Sequence, residues 1–362
     1  MRLIFAGFVL ILTGCADLSY YLHSINGHVD VVSRSRSIED MLADQATAAE
    51  LRAQLQLVLR VRNFAFENLQ LPDSDSYTEY ADLERDYVLK SLFATEEFSI
   101  AAHQWCYPVV GCAGYRGYFD EARLQRYVDE LEARNFDVYV ANVPAYSTLG
   151  WFDDPVLNTF IKWPEYRLAG LIFHELSHQR LYIDGDTTFN ESFAMAVQQA
   201  GVERWLLETG QAEKLAAYRR HVASREQVLN FIQKERDKLA QLYRQPMALQ
   251  EKREAKAAFL QSMLAGYRAL SAGFEGSDGF GKWFEAGLNN AKLVSVSTYH
   301  ARTPAFARLL EHHAGDFKAF YAHVERIGEL EPGPRGDCLD YWQSAPDVVA
   351  GEAMNTDVCI NE

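Results

Sequence analysis

The sequence predicts an α+β chain that is predominantly helical. Apolar residues recur at helical spacing in several long stretches of the 362 residues. Only the run FDVYVANV, at 136–143, alternates and is β-branched in the manner of a strand. There is no internal repeat and no low-complexity tract.

The first element is a leader. One basic residue, Arg2, precedes an apolar run from Leu3 to Leu12, which is too short for a permanent span and has the proportions of a secretory signal. It ends in Leu12-Thr13-Gly14-Cys15, a lipobox-like stretch, so residues 1–14 are expected to be removed and Cys15 to carry lipid. A plain signal peptide with a chance cysteine is the alternative. Ala16 follows the cysteine, which by resemblance to Gram-negative sorting signals implies the outer membrane. The expectation is a soluble body, residues 15–362, on a lipid tether at the periplasmic face.

Residues 46–69 read as an amphipathic helix, with Leu51, Leu55, Val58 and Val61 at helical spacing and Pro72 as its stop. A Tyr-rich irregular region follows, up to Phe119. Residues 120–134 form the next helix, with Asp120 as N-cap. The strand and a loop, PAYSTLGWFDDP, lead to a helix whose first turn suits Pro164. From Val202 to about residue 272 the chain is charged and helical, and Pro246 divides it into an antiparallel hairpin. Its heptad is not sustained, which disfavours a coiled coil. The tail after Glu331 reads as loop.

Acidic residues outnumber basic ones, 50 to 35, which argues against a nucleic-acid partner and against polybasic attachment to anionic lipid. Beyond Cys15 lie Cys106, Cys112, Cys338 and Cys359. An even count in an exported chain suggests disulfides, of which Cys106–Cys112 with Cys338–Cys359 is the simplest of three connectivities. Soft-metal binding is the alternative, but no CxxC occurs.

The stretch FHELSHQ, 173–179, carries the chemistry. With His174 at zero and about 100° per residue, His178 lies near 40°, while Leu168, Ile172 and Leu176 fall between about 120° and 200°. The histidines therefore face away from the apolar stripe, toward a cleft, with Gly170 leaving room on their side. Glu175 lies between the two faces and reaches a water without being a ligand. This is the H-E-x-x-H logic: neutral imidazoles bind zinc, the metal lowers the pKa of water, and the glutamate takes the proton. The bland alternative is a solvated helix face. A catalytic zinc wants a third protein ligand, and Glu191 follows His178 by enough chain for a loop and a returning helix. Thr188-Phe-Asn-Glu191 also has the form of a capping box, a role that would occupy Glu191 at the helix start.

HELSH followed by NESFA resembles the gluzincin pattern, in which a glutamate on the next helix completes the zinc site. The run NESFA is similar to the matching helix of the M1 aminopeptidases. The mature chain as a whole resembles a family of bacterial lipoproteins described as predicted aminopeptidases. The stretches that carry this are LTGC, GYRGYFDEA, VPAYSTLGWFDDPVL, AGLIFHELSHQ, FNESFA and NNAKLVSVSTYH. The resemblance implies a zincin-like fold and one Zn2+ per chain. The G-x-M-E-N segment that holds a substrate amine in M1 enzymes is missing, and Met195 stands where the thermolysin type has a supporting aspartate.

A peptidase also aligns its substrate, and the edge of the strand 137–143 suits that. Tyr146 and Trp151 are candidate cleft residues, and Asp153 and Asp154 are candidate amine-binding ones. All four read equally as loop structure. Tyr299 and His300 are candidate oxyanion donors and Arg116 a candidate carboxylate binder, against ordinary structural roles. The sum is a lipid-anchored zinc metallopeptidase acting on peptides. Its rivals are an endopeptidase or other amide hydrolase on the same site, and a non-catalytic envelope lipoprotein that keeps zinc only for its fold.

Overall fold

The structure is a computed structural model and describes residues 27, 29–107, 111–145, 153–296, 302–344 and 359. The lipobox Cys15 lies outside the described residues. No helix among them is long and apolar enough to cross a membrane.

The chain enters through β1 (Ser35–Ser37) and α1 (Ile38–Ala43). Then α2 (Ala49–Leu69) buries Leu55, Val58 and Val61, as the helical period predicts. The region read as irregular holds β2 (Glu79–Ala81), β3 (Leu89–Glu96), β4 (Trp105–Tyr107), β5 (Gly111–Ala113) and β6 (Arg116–Tyr118). In β3, Leu92 and Ala94 are inward-facing and fully buried. Cys106 and Cys112 face each other in the β4–β5 pair and form a disulfide. Next, α3 (Glu121–Ala133) is capped by Asp120, whose side chain accepts from the Arg123 N–H. Its buried residues Leu124, Val128 and Leu131 pack under the sheet β6-β3-β7, completed by β7 (Phe136–Val143).

β7 pairs only with β3 among the described strands, so it is an edge strand. The carbonyl of Val138 is covered by Asn289, which donates to it at 2.7 Å. A second sheet joins β1, β2 and β8 (Val156–Leu157), with β2 and β8 parallel.

The long helices follow. These are α4 (Glu165–Arg180) and α5 (Thr187–Glu208), then α6 (Ala212–Arg244) and α7 (Leu249–Ser271). Pro164 is the N-cap of α4 rather than a residue of its first turn. The hairpin is α6 and α7. Residues 202–208 belong instead to α5, whose C-cap Thr209 is followed by Gly210 with φ 73°, a left-handed value suited to glycine. Short helices α8 (Gly281–Glu285) and α9 (Asn290–Val294) close the hairpin. Then come α10 (Thr303–His312), α11 (Phe317–Gly328) and α12 (Pro332–Ser344).

α12 corrects the expectation of a loop. Pro332 and Pro334 fall in its first turn, where no N–H is needed, and Arg335, Cys338, Leu339 and Trp342 share its buried face. Cys338 is bonded to Cys359.

The main core lies where α2, α4, α5, α10 and α11 meet. A second core belongs to the hairpin, where Val228, Ile232, Leu239 and Met263 surround Phe284. Tyr267 stacks on Phe284 at 3.8 Å. The hairpin meets the sheet side through Phe98, just after β3, whose ring lies edge to face on Tyr243 at 5.6 Å, and through polar groups. Lys256 donates to both oxygens of Asp137, at 2.8 and 2.7 Å, and to the Glu97 carbonyl. Arg253 binds the Glu97 carboxylate at 2.6 and 3.0 Å.

Candidate metal centre

The centre is made by α4, its C-terminal turn and the first turns of α5. Leu168, Ile172 and Leu176 of α4 are at most 1% exposed, so the predicted stripe is the buried one. The histidine face, expected to open on a cleft, lies largely against α5. His178 is 4% exposed. Gly170 leaves room for this: a Cβ there would come within 3.3 Å of Gln198 and Val202, both on α5.

The loop between α4 and α5 is held by Asn190. Its Oδ1 accepts from the Ile183 N–H and its Nδ2 donates to the Ile183 carbonyl, both at 2.8 Å. Asn190 is 1% exposed, so these bonds are made out of water, where such groups are costly to leave unpaired. The N-cap of α5 is Asp186, which accepts from the Phe189 N–H at 3.0 Å and also pairs with Arg335 of α12 at 2.9 Å. The capping box Thr188–Glu191 is therefore not formed. Glu191 sits inside the helix, with its side chain available elsewhere.

It turns back to the histidines. Glu191 Oε2 lies 3.3 Å from His174 Nε2, and Oε1 lies 3.7 Å from His178 Nε2. The three donor atoms fall within 4.8 Å of one another. The imidazole rings meet edge to face at 4.9 Å. Both Nδ1 atoms are buried with no hydrogen-bond partner among the described residues, so packing orients the rings.

Burial pushes the His174 imidazole toward the neutral form. The Glu191 hydrogen bond, the charges of Glu175 and Glu191, and Gln198 outweigh it, and the net direction is up. Burial and the neighbouring His174 take His178 down to about 4, against the pull of Glu191. A half-buried carboxylate facing two imidazole nitrogens favours a cation between them. Two imidazole nitrogens and one carboxylate oxygen, once His174 is deprotonated, are a donor set that fits a metal ion of the kind zinc represents.

Glu175 is half-buried beside this group, and its charge reaches both His174 and Tyr77. Tyr182 was not predicted. Its ring meets His178 edge to face at 6.1 Å, it is 40% exposed, and burial followed by the charges of Glu191 and Asp184 raises its hydroxyl pKa. It lies two residues past the end of α4, so helical spacing gives no signal for it.

Of the other expected residues, Asp153 is exposed and Asp154 is 5% exposed. The Asp154 N–H donates to Ser76 Oγ and its carbonyl accepts from the Tyr77 N–H, as loop structure requires. The Arg116 guanidinium lies over the rings of Tyr118 and Tyr127, at 5.6 and 5.4 Å. Tyr146, Trp151, Tyr299 and His300 lie outside the described residues. Arg302, just beyond His300, is tied to the centre: its N–H donates to Ser192 Oγ at 3.1 Å, one residue from Glu191.

Fold and site together define a mostly helical protein with a three-donor candidate metal centre between two consecutive helices. Residues 19–339 match the family described as "Putative aminopeptidase", and the chain belongs to that family. Membership supports peptidase function in general terms. No curated protein and no solved structure matches the chain.

Proposed function

We propose that the protein is a zinc metallopeptidase of the gluzincin type, an aminopeptidase, built as one zincin-like domain over residues 15–362. The observation that carries this is the convergence of His174, His178 and Glu191 within 4.8 Å, with Glu175 adjacent in sequence and near in space. The two histidines and Glu191 would hold one Zn2+. When bound, zinc supplies Lewis acidity, lowering the pKa of water and polarising a carbonyl.

The protein's own groups do the rest. Glu175 takes a proton from the attacking water as its oxygen bonds to the peptide carbonyl carbon. It then returns that proton to the amine as the C–N bond breaks. Tyr299 and His300, which lie outside the described residues, are the proposed oxyanion donors. The edge of β7 beyond Val138, whose own carbonyl is taken by Asn289, is the proposed support for an extended peptide.

The test is a product profile on matched peptides with free and blocked N-termini. Stepwise loss of N-terminal residues from the free peptides alone is expected. Equal internal cleavage of both makes it an endopeptidase, and no cleavage of either favours the binding-only alternative.

The body is proposed to ride on lipid attached to Cys15, in the cell envelope, at the periplasmic face of the outer membrane. Cys15→Ala should leave a protein that no longer partitions into detergent. Partitioning equal to the parent's refutes the anchor.

A further inference from the structure

Tyr182 stands in the loop between α4 and α5, on backbone that is fixed on both sides. Its predecessor Leu181 is extended, with φ −152° and ψ 129°, and donates its N–H to the Ser177 carbonyl at 3.0 Å. Its successor Ile183 is held by Asn190 through both backbone groups, and the Asp186 N–H donates to the same Ile183 carbonyl at 3.2 Å. Leu181 and Ile183 both pack on the main core, and a Cβ on Gly328 of α11 would come within 2.8 Å of Ile183 Cδ1. Side chains alternate along extended backbone, so with its two neighbours turned inward Tyr182 is turned out.

The side it turns to is that of the metal centre. Its ring lies 6.1 Å from the ring of His178, at an interplanar angle of 76°. His178 is buried and Tyr182 exposed, so the tyrosine is the outer member of the pair. Its hydroxyl has no hydrogen-bond partner among the described residues, so none of their polar contacts accounts for it. A tyrosine ring presents a large contact area with few rotatable bonds, and here the backbone beneath it is already ordered. Covering such a ring with a ligand costs little conformational freedom.

We propose that the Tyr182 ring is one wall of the subsite for the substrate side chain next to the scissile bond, and that it selects large apolar and aromatic side chains over small ones. This rests on the peptidase reading above. The ring makes the selection by contact area, so the hydroxyl is dispensable to it.

Binding of L-phenylalanine hydroxamate and L-alanine hydroxamate to the zinc-loaded protein, followed by calorimetry, reads this subsite without turnover. The parent should bind the phenylalanine compound about tenfold more tightly. In Tyr182→Ala that ratio should fall to within about twofold through lost affinity for the phenylalanine compound alone, with parental zinc content. Tyr182→Phe should keep the parental ratio. In cleavage, Tyr182→Ala should raise KM about 3–10-fold for peptides beginning with Phe or Leu, with kcat, and KM for those beginning with Ala, within about twofold. An unchanged ratio in Tyr182→Ala, equal weakening of both hydroxamates, or a loss in Tyr182→Phe as large as in Tyr182→Ala each overturn the proposal. Loss of zinc from Tyr182→Ala also overturns it, since the ring is then only a cover for His178. A parent that cleaves nothing removes the peptidase reading and this one together, whereas a cleaving parent with an unchanged ratio in Tyr182→Ala removes only the tyrosine.

Discussion

Glu175→Gln is expected to lower peptide turnover by about 10²–10⁴-fold, the usual contribution of a general acid–base group. Zinc content and melting temperature should hardly move. Glu175 sits about 100° round the helix from His174, which gives it access to a water beside the metal without entry into the donor set. Glutamine keeps the size and a hydrogen-bonding end but loses the basic oxygen. Proton removal from water and proton delivery to the leaving amine then fail together. Glu175 is half-buried, so the exchange opens no cavity in the apolar stripe of α4. All three quantities should be measured on one preparation, with a peptide mixture that the parent cleaves. Near-parental cleavage by this variant refutes the mechanism.

His174→Ala and Glu191→Ala should each take zinc from about one per chain to a small fraction of that, with activity lost in proportion. Two donors hold zinc far more weakly than three. The Glu191 variant is the sharper test, because its carboxylate plays no part in capping α5: Asp186 does that. Its loss should leave the helix start intact while the metal goes. Metal analysis after dialysis against a weak chelator, beside a thermal melt, separates the two effects. Full zinc retention in Glu191→Ala removes it from the donor set and reopens the search for a third ligand.

Much of the helical framework was legible, because a period of 3.6 residues is a local signal. The predicted 46–69, 120–134 and 136–143 correspond to Ala49–Leu69, Glu121–Ala133 and Phe136–Val143. The strand β3 was not legible. Its run LKSLFATE mixes a lysine and a serine with its apolar residues, and it pairs with strands far along the chain, Leu92 with Val140. α12 was hidden by its prolines, although Arg335, Cys338, Leu339 and Trp342 repeat at helical spacing. At the site, the His174–His178 pair and Glu191 were readable from motif spacing. Whether Glu191 was taken up by a capping box was not, since that turned on whether Asp186 or Thr188 capped the helix.

The joint between the hairpin and the β6-β3-β7 sheet has a consequence for the whole molecule. Each side of it has its own apolar core, Phe98 from just after β3 packs on Tyr243 of the hairpin, and the pairs Lys256–Asp137 and Arg253–Glu97 flank that contact. Ionic strength, which barely touches oil-like contacts, acts directly on such a seam. Arg253 is 43% exposed on its side chain and feels the salt, whereas Lys256 and Asp137, at 12% and 16%, are sheltered from it. Salt therefore weakens the rim pair first, while the Lys256–Asp137 pair and the packing of Phe98 on Tyr243 keep the hairpin seated.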